Sequence, residues 1–222
     1  MRGIVCAALG ALLAAPMAGA QVSRPFPGAS STDWSATQGR TVGAGQNVLT
    51  GEAGWPGIAV QYLHGIDPLT DAGVRVQFNY GFVNTTNSLT GVDLQVPVRR
   101  YLARTSSGWD IEGHVLPGFT IYGNNGSTLF GLMAPVGLTA GLKIDPKLTV
   151  SAGADVPLLL SVTNPFGFVF GPLVGAGGEF KIDRDLAVNA KMRIGPEFAF
   201  QTGGASSDLG FQALVGVAYA MR

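Results

Sequence analysis

Charge, cysteine and histidine are all scarce in this chain. Asp, Glu, Lys and Arg together make up 13% of the 222 residues, and the 14 basic residues are balanced by 14 acidic ones. With no net charge and no polybasic run, the sequence lacks the cluster of basic residues that binds nucleic acid, so a nucleic-acid partner is not expected. The mean hydropathy of +0.29 is nevertheless high for a water-soluble domain. The chain must therefore hide apolar surface somewhere.

The first 20 residues account for part of this hydropathy. Arg2 is followed by an apolar run over residues 3–15, then by Pro16 and the small residues Ala18-Gly19-Ala20. This pattern is typical of a secretory signal peptide that is cleaved after residue 20. An uncleaved membrane anchor is the alternative, but Pro16 interrupts a run that is already short for spanning a bilayer.

Two further segments complete the predicted organisation. Residues 21–40 are polar and rich in Ser, Gly and Pro, which predicts a flexible periplasmic lead-in, and residues 41–222 form the folded domain. The one cysteine, Cys6, lies within the signal peptide, so the mature protein has no thiol, no disulfide and no lipid-anchoring cysteine.

No long apolar run follows the signal peptide, so transmembrane helices are not expected. Instead, apolar residues recur at every second position, which is the period of a β-strand. Within residues 72–82, for example, Val74 and Val76 share one face while Arg75 and Gln77 share the other. Ten such segments are predicted: 42–51, 57–65, 72–82, 91–99, 109–122, 130–144, 148–160, 168–182, 186–200 and 209–221.

The face opposite the aliphatic one carries charges of both signs, and several segments exceed the usual strand length of about five or six residues. A tilted strand that spans a membrane needs about 9 to 11 residues, so these features favour a transmembrane barrel with a polar lumen over a soluble sandwich. The candidate lumen-lining residues are Arg75, Asp93, Arg99, Asp110, Glu112, His114, Lys143, Asp155, Glu179, Lys181, Lys191, Arg193 and Glu197. The balance of charges favours pairing that fills the lumen, and a narrow polar channel is the alternative.

Turn lengths and aromatic positions support this architecture. Short links at Asp67-Pro68, at residues 145–147 and at residues 183–185 alternate with longer ones, as expected for periplasmic turns and external loops, and both termini then lie on the periplasmic side. The longer links are 83–88, 123–127, 162–167 and 201–208. Most outward aromatic residues fall toward the external ends of their strands, and Tyr62, Trp109, Phe180 and Tyr219 fall toward the other end, which gives two aromatic girdles.

Residues 41–222 resemble the bacterial outer-membrane β-barrel proteins in architecture: a signal peptide, alternating strands, two girdles and the final amphipathic strand LGFQALVGVAYAMR. Many such proteins end in an aromatic residue that serves as an assembly signal, whereas here Tyr219 is followed by three further residues. The resemblance implies an all-β, antiparallel up-and-down transmembrane β-barrel of about 10 strands, with 8 or 12 as alternatives. It also implies a Gram-negative outer-membrane location, with outer-membrane lipid and the barrel-assembly machinery as partners.

Little in the chain indicates catalysis. Glu112 and His114 lie two residues apart on one face, which would suit an acid/base pair or two metal ligands, but a third partner is not evident. No G-x-S-x-G motif is present. We therefore predict no enzymatic activity and no cofactor, and a structural or passive porin-like role. The alternatives are an outer-membrane enzyme acting on lipid and a soluble periplasmic lipocalin-like carrier.

Overall fold

The computed structural model describes residues 34–81, 90–124, 127–163 and 166–221, and its regular structure in these ranges consists of β-strands. The predicted signal peptide, most of the predicted lead-in and the predicted loop at 83–88 lie outside the described residues. Within the described ranges, no helix combines the length and hydropathy needed to cross a membrane.

Fifteen strands form one sheet in which all pairings are antiparallel. The strands are β1 (Asn47–Trp55), β2 (Gly57–Asp67), β3 (Thr70–Asn79), β4 (Thr90–Gln95), β5 (Val98–Arg104), β6 (Trp109–Val115), β7 (Gly118–Asn124), β8 (Ser127–Met133), β9 (Val136–Lys143), β10 (Leu148–Val156), β11 (Leu158–Ser161), β12 (Gly167–Phe170), β13 (Leu173–Lys181), β14 (Leu186–Gln201) and β15 (Gly204–Met221).

The sheet closes on itself because β1 pairs with β15 along its whole length, from Asn47 opposite Met221 to Trp55 opposite Ala213. We call the end at which Asn47 and Met221 meet the terminal end, and the opposite end the loop end. Near the terminal end the ring runs β1, β2, β3, β5, β6, β9, β10, β13, β14, β15. Near the loop end it runs β1, β2, β3, β4, β7, β8, β11, β12, β14, β15. The predicted closed antiparallel barrel is confirmed.

The predicted number of strands differs from the fifteen that the structure contains, and proline is the reason. Five of the predicted segments are each divided in two at Pro97, Pro117, Pro135, Pro157 or Pro172. Proline has no N–H group to donate to a neighbouring strand, so the ladder is interrupted at each of these positions. Some of the gaps are bridged by the residue before the proline, since the backbone nitrogens of Val96 and Leu116 donate to the carbonyls of Pro117 and Pro135, both at 2.8 Å.

Two of the predicted longer loops are largely strand. β7 and β8 are separated by residues 125–126 alone, and β14 and β15 continue to a pairing of Gln201 with Gly204. The small and polar residues 205–208 had suggested a loop, but they pair with β14 where the hairpin reaches the loop end. The first strand is also displaced, because β1 covers residues 47–55 and not 42–51.

The wall of the barrel has two chemically distinct faces. On β3, the outward Val74 and Val76 are 48% and 46% exposed, while the inward Arg75 and Gln77 are buried. The alternation survives the proline breaks: Glu112 before Pro117 and Thr120 after it both face inward and are buried. Large apolar side chains thus cover the outside of a closed barrel, and polar side chains fill its inside. This distribution is that of an outer-membrane type of β-barrel, in which an outward apolar band contacts lipid and the interior is polar.

Candidate functional site

The lumen at the terminal end is occupied by the chain itself. Residues 34–43, which we call the plug segment, form no strand and lie inside the ring, where Trp34 is 3% exposed and Gln38 and Val42 are each 1% exposed. Residues 34–40, which composition assigns to a flexible lead-in, are packed against the wall of the lumen in this structure. Their polar composition suits a lumen lined with charged groups as well as it suits water, so composition could not distinguish the two.

Apolar contacts provide one part of the attachment of the plug segment. Its apolar residues join inward-facing residues of β1, β2, β14 and β15 in a single buried cluster. The cluster consists of Trp34, Ala36, Val42, Val48, Leu63, Ala187, Ala218 and Ala220. At its edge the Trp34 indole N–H donates to the Arg184 carbonyl at 2.9 Å, and the Lys181 ammonium lies 5.1 Å from the centre of the Trp34 ring. Such a cation–π contact further stabilises the ring in place.

Three buried charged side chains hold the backbone of the plug segment. Arg99 forms a bidentate pair with Asp71, at 2.8 and 2.7 Å, and its guanidinium also donates to the carbonyls of Ala36, at 2.6 Å, and Ser35, at 3.1 Å. Asp71 in turn accepts the backbone N–H of Val42 at 2.8 Å. These are charge-assisted hydrogen bonds, which are shorter and stronger than neutral ones.

Glu179 is the third of these groups. Its Oε2 atom accepts the backbone N–H of Ala36 at 3.1 Å and the hydroxyl of Ser35 at 3.2 Å. One carboxylate and one guanidinium thus bind the N–H and carbonyl groups of the same stretch of backbone, Ser35 and Ala36. This part of the lumen binds a peptide backbone through side chains and without a strand ladder.

A second ion pair holds the middle of the plug segment to the wall. The Arg40 Nε atom donates to Asp110, which is buried on β6. The same carboxylate accepts from Arg104 at 2.8 and 2.9 Å and from the Tyr101 hydroxyl at 3.1 Å. Asp110 therefore keeps hydrogen-bond donors from the wall whether or not the plug segment is in place.

On the loop-end side of the plug segment, a row of side chains of alternating charge crosses the lumen. Arg99 lies 3.5 Å from Glu112, whose other oxygen lies 3.2 Å from His114 Nδ1. His114 Nε2 is 2.7 Å from Asp155, and the Arg193 Nε atom donates to that carboxylate at 2.7 Å. Both ring nitrogens of His114 thus face carboxylate oxygens, and only the doubly protonated ring donates to both.

A second polar network lines another part of the wall, from β14 through β1 and β3 to β4 and β7. Arg75 donates to Glu52 at 2.7 Å and to Gln77 at 2.9 Å, and Lys191 lies 3.1 Å from the other oxygen of Glu52. From Gln77 the network continues through Asn79. Asn79 donates to Asp93 at 2.8 Å and to the Tyr122 hydroxyl at 2.8 Å, and Thr120 also donates to Asp93.

These networks border a cavity of about 210 Å³. One part of its lining is polar and consists of the groups just described. Apolar side chains also line the cavity, namely Leu116, Met133, Leu158, Leu159, Val169 and Leu173. The lumen is thus filled by paired charges and by the plug segment. A small cavity, with one polar and one apolar part to its lining, remains between them and the loop end.

Most residues expected in the lumen are found there. Nine of the thirteen border the cavity: Arg75, Asp93, Arg99, Glu112, His114, Asp155, Lys191, Arg193 and Glu197. Asp110, Glu179 and Lys181 contact the plug segment instead. The remaining candidate, Lys143, ends β9 at the terminal end and is exposed, so it lies at the rim rather than in the lumen.

Sequence reasoning missed Glu52, Asp71 and Arg40. Asp71 has the same alternation as Arg75, but it precedes the segment 72–82 that was assigned to the strand. Glu52 follows Val48 and Thr50 at every second position of β1, but it lies one residue beyond the predicted segment 42–51. Nothing in the local sequence marks Arg40. In the described part of the chain, no group of three or more His, Cys, Asp or Glu side chains is arranged to hold a metal ion.

The closed ring, apolar exterior and charge-paired lumen place the chain in the class of outer-membrane β-barrels. No protein-family model matches the chain, and no curated protein matches it. Among solved structures it is similar to OmpT, in-vitro folded, an outer membrane protein of Vibrio cholerae, with a TM-score of 0.40 and 14% identity over 80% of this chain and 62% of that one. It is also similar to the loop L8 deletion mutant of that protein, with a TM-score of 0.37 and 14% identity over 78% of this chain and 59% of that one. The chain thus spans about three fifths of the length of those structures.

Proposed function

We propose that the protein is a structural barrel of the bacterial outer membrane whose lumen is closed to solutes. The observation that carries this proposal is the burial of residues 34–43 inside the ring at the terminal end. A passive pore needs a continuous aqueous path, whereas here Trp34, Gln38 and Val42 fill the lumen against the wall. The partners of such a protein would be the outer-membrane lipid around it and the barrel-assembly machinery that inserts it.

The exterior supports the membrane location. Val60, Val76 and Val215 lie near the middle of their strands and are 53%, 46% and 61% exposed. The aromatic residues Tyr62 and Phe180 near the terminal end and Phe78 near the loop end are also exposed, as in the girdles of membrane barrels. A soluble carrier would leave this surface in water, so we expect the protein to need detergent for extraction. Recovery in a detergent-free periplasmic extract would contradict the membrane location.

The arrangement around His114 supports a role without catalysis. A histidine that acts as a general base needs a free ring nitrogen within reach of its substrate. Here Glu112 and Asp155 occupy both nitrogens, at 3.2 and 2.7 Å, and Arg193 is bound to Asp155. These four side chains are therefore suited to linking the strands across the lumen through paired opposite charges. An unchanged lipid composition when His114→Gln replaces the native protein in cells is the expected result, and an altered composition would favour the alternative of an enzyme acting on lipid.

Planar-bilayer recording tests whether the barrel is closed. The purified full-length mature chain, inserted at high dilution, should give no stable current steps at moderate voltage in 1 M salt. A general porin recorded in the same chamber provides the positive control. Regular current steps from the native chain would contradict the proposal and favour a narrow polar channel, the second candidate, for which the cavity of about 210 Å³ is the supporting observation.

A further inference from the structure

The plug segment is bound to the barrel in the way that a ligand is bound. The ring closes through β1 and β15 without any contribution from residues 34–43, which form no strand. The bonds described above run instead from the plug segment to side chains of the wall. Two of the wall carboxylates keep partners of their own, since Arg99 pairs with Asp71 and Arg104 pairs with Asp110, whereas Glu179 accepts its hydrogen bonds from the plug segment. Withdrawal of the segment would therefore leave a closed ring with its main ion pairs intact.

We propose that the terminal half of the lumen is a binding site for a short peptide that folds back on itself, which the plug segment occupies within its own chain. The inference goes beyond the proposed function but rests on it, because it takes the plug segment to be what closes the lumen. The ligand is defined by its contacts: an aromatic residue in the apolar cluster, two peptide units between Arg99 and Glu179, and a basic side chain that reaches Asp110.

The recognised backbone lies at Ser35 and Ala36, where Arg99 binds the carbonyls and Glu179 binds an N–H and a hydroxyl. Recognition of this kind tolerates the replacement of one chain by another, because the backbone is common to all peptides. Selectivity then comes from Trp34 and Arg40, which lie six positions apart and contact different parts of the wall. A second copy of the same segment satisfies all of these contacts.

Gly39 makes a sharp test possible, because the segment passes very close to the wall there. A Cβ built on Gly39 would lie 2.5 Å from the Asp110 carbonyl oxygen and 2.5 Å from the Gly141 nitrogen, and both of these are backbone atoms that cannot move aside. Gly39→Leu should therefore expel the plug segment while leaving the wall unchanged. Gly45→Leu is the matched control, since Gly45 has nearly the same φ, +69° against +72°, but has nothing within 4 Å of the position of its Cβ.

The experiment uses the full-length mature chain in detergent micelles with two measurements. The first is acrylamide quenching of Trp34, obtained by subtracting the signal of the corresponding Trp34→Phe protein. The second is the fluorescence anisotropy of a fluorescein-labelled peptide of residues 34–46. In Gly39→Leu we expect Trp34 to become several-fold more quenchable and the peptide to bind saturably. The native chain and Gly45→Leu should bind at least tenfold less peptide, and a peptide carrying Arg40→Glu should bind weakly to all three proteins.

A second variant covers the case in which Gly39→Leu does not yield a folded barrel. Trp34→Ala combined with Val42→Ala loosens the segment by removing apolar contacts, with no clash, and should also bind the labelled peptide more than the native chain does. If Trp34 stays shielded in Gly39→Leu, or if neither variant binds the peptide, the plug segment is a fixed part of the barrel and the inference is wrong. Current through the native chain would instead overturn the proposed closed lumen, so the two failures are distinguishable.

Discussion

Replacement of Arg99 by methionine removes the charge that links the plug segment to the barrel wall. The Arg99 side chain is buried and makes two hydrogen bonds to Asp71 and two to carbonyls of the plug segment, all between 2.6 and 3.1 Å. Methionine retains much of the length of the side chain and none of its donors. Asp71, which is 0% exposed, then stays buried with no cation to balance it.

The expected loss of stability follows from that unbalanced carboxylate. Breaking a buried ion pair by removing one partner costs about 3–5 kcal/mol, because the other charge cannot return to water. The free energy of unfolding in lipid vesicles, from urea titration followed by the shift of the folded band on a gel, should fall by about that amount. Replacing Asp71 by asparagine in the Arg99→Met background should recover part of the loss, since it removes the buried charge.

Arg104→Met is the matched control on the same strand, β5. Arg104 also pairs with a buried aspartate, at 2.8 Å, but its side chain is 44% exposed. A pair that reaches solvent contributes about 0–1 kcal/mol, so this variant should be nearly as stable as the native protein. A cost of less than about 1 kcal/mol for Arg99→Met, or one no larger than for Arg104→Met, would show that leaving Asp71 buried without Arg99 does not destabilise the barrel.

Three further predictions concern the exterior, the plug contact and a turn. Val76→Arg, on the lipid face near mid-barrel, should lower the free energy of unfolding in vesicles by about 2–4 kcal/mol. Ile66→Arg, at the terminal end, should lower it by only about 0–1 kcal/mol, and equal losses would contradict the membrane embedding. Leu63→Ala, in the cluster around Trp34, should cost about 2–5 kcal/mol and the outward Leu49→Ala clearly less, as the same urea titration would show. The backbone N–H groups of Lys147 and Leu148 hold the pKa of Asp145 below its usual value, so the stability that this turn gains is present at neutral pH and is lost as the pH falls through that lowered pKa. An NMR titration of the Asp145 carboxyl carbon in micelles that gave an ordinary pKa would contradict this.

The two faces of the wall could be predicted from sequence because each inward or outward position follows from strict alternation. Arg75, Asp93 and Arg193 each lie between outward apolar neighbours, and all three face the lumen in the structure. Alternation also survives Pro97 and Pro135, because a proline that keeps an extended backbone breaks the hydrogen-bond ladder without changing which face follows.

The content of the lumen could not be predicted in the same way. Residues 34–43 have no period, since their environment is set by distant groups such as Arg99 on β5 and Glu179 on β13. A polar segment surrounded by charged side chains has the same composition as one in water. The partners within the lumen were likewise hidden, because the link from His114 to Asp155 joins two strands that are not neighbours in sequence.

The seam between β1 and β15 joins the first strand of the barrel to the last. The cylinder therefore cannot be sealed until β15 has been delivered, and before that moment the sheet has two open edges. Residues 34–43 lie close to the start of β1 at the terminal end, and a sealed wall offers no sideways entrance, so they reach the interior along the barrel axis, through that end. Closure of the wall and filling of its interior are thus separable steps, which meet at the terminal end where the polypeptide enters and leaves the sheet.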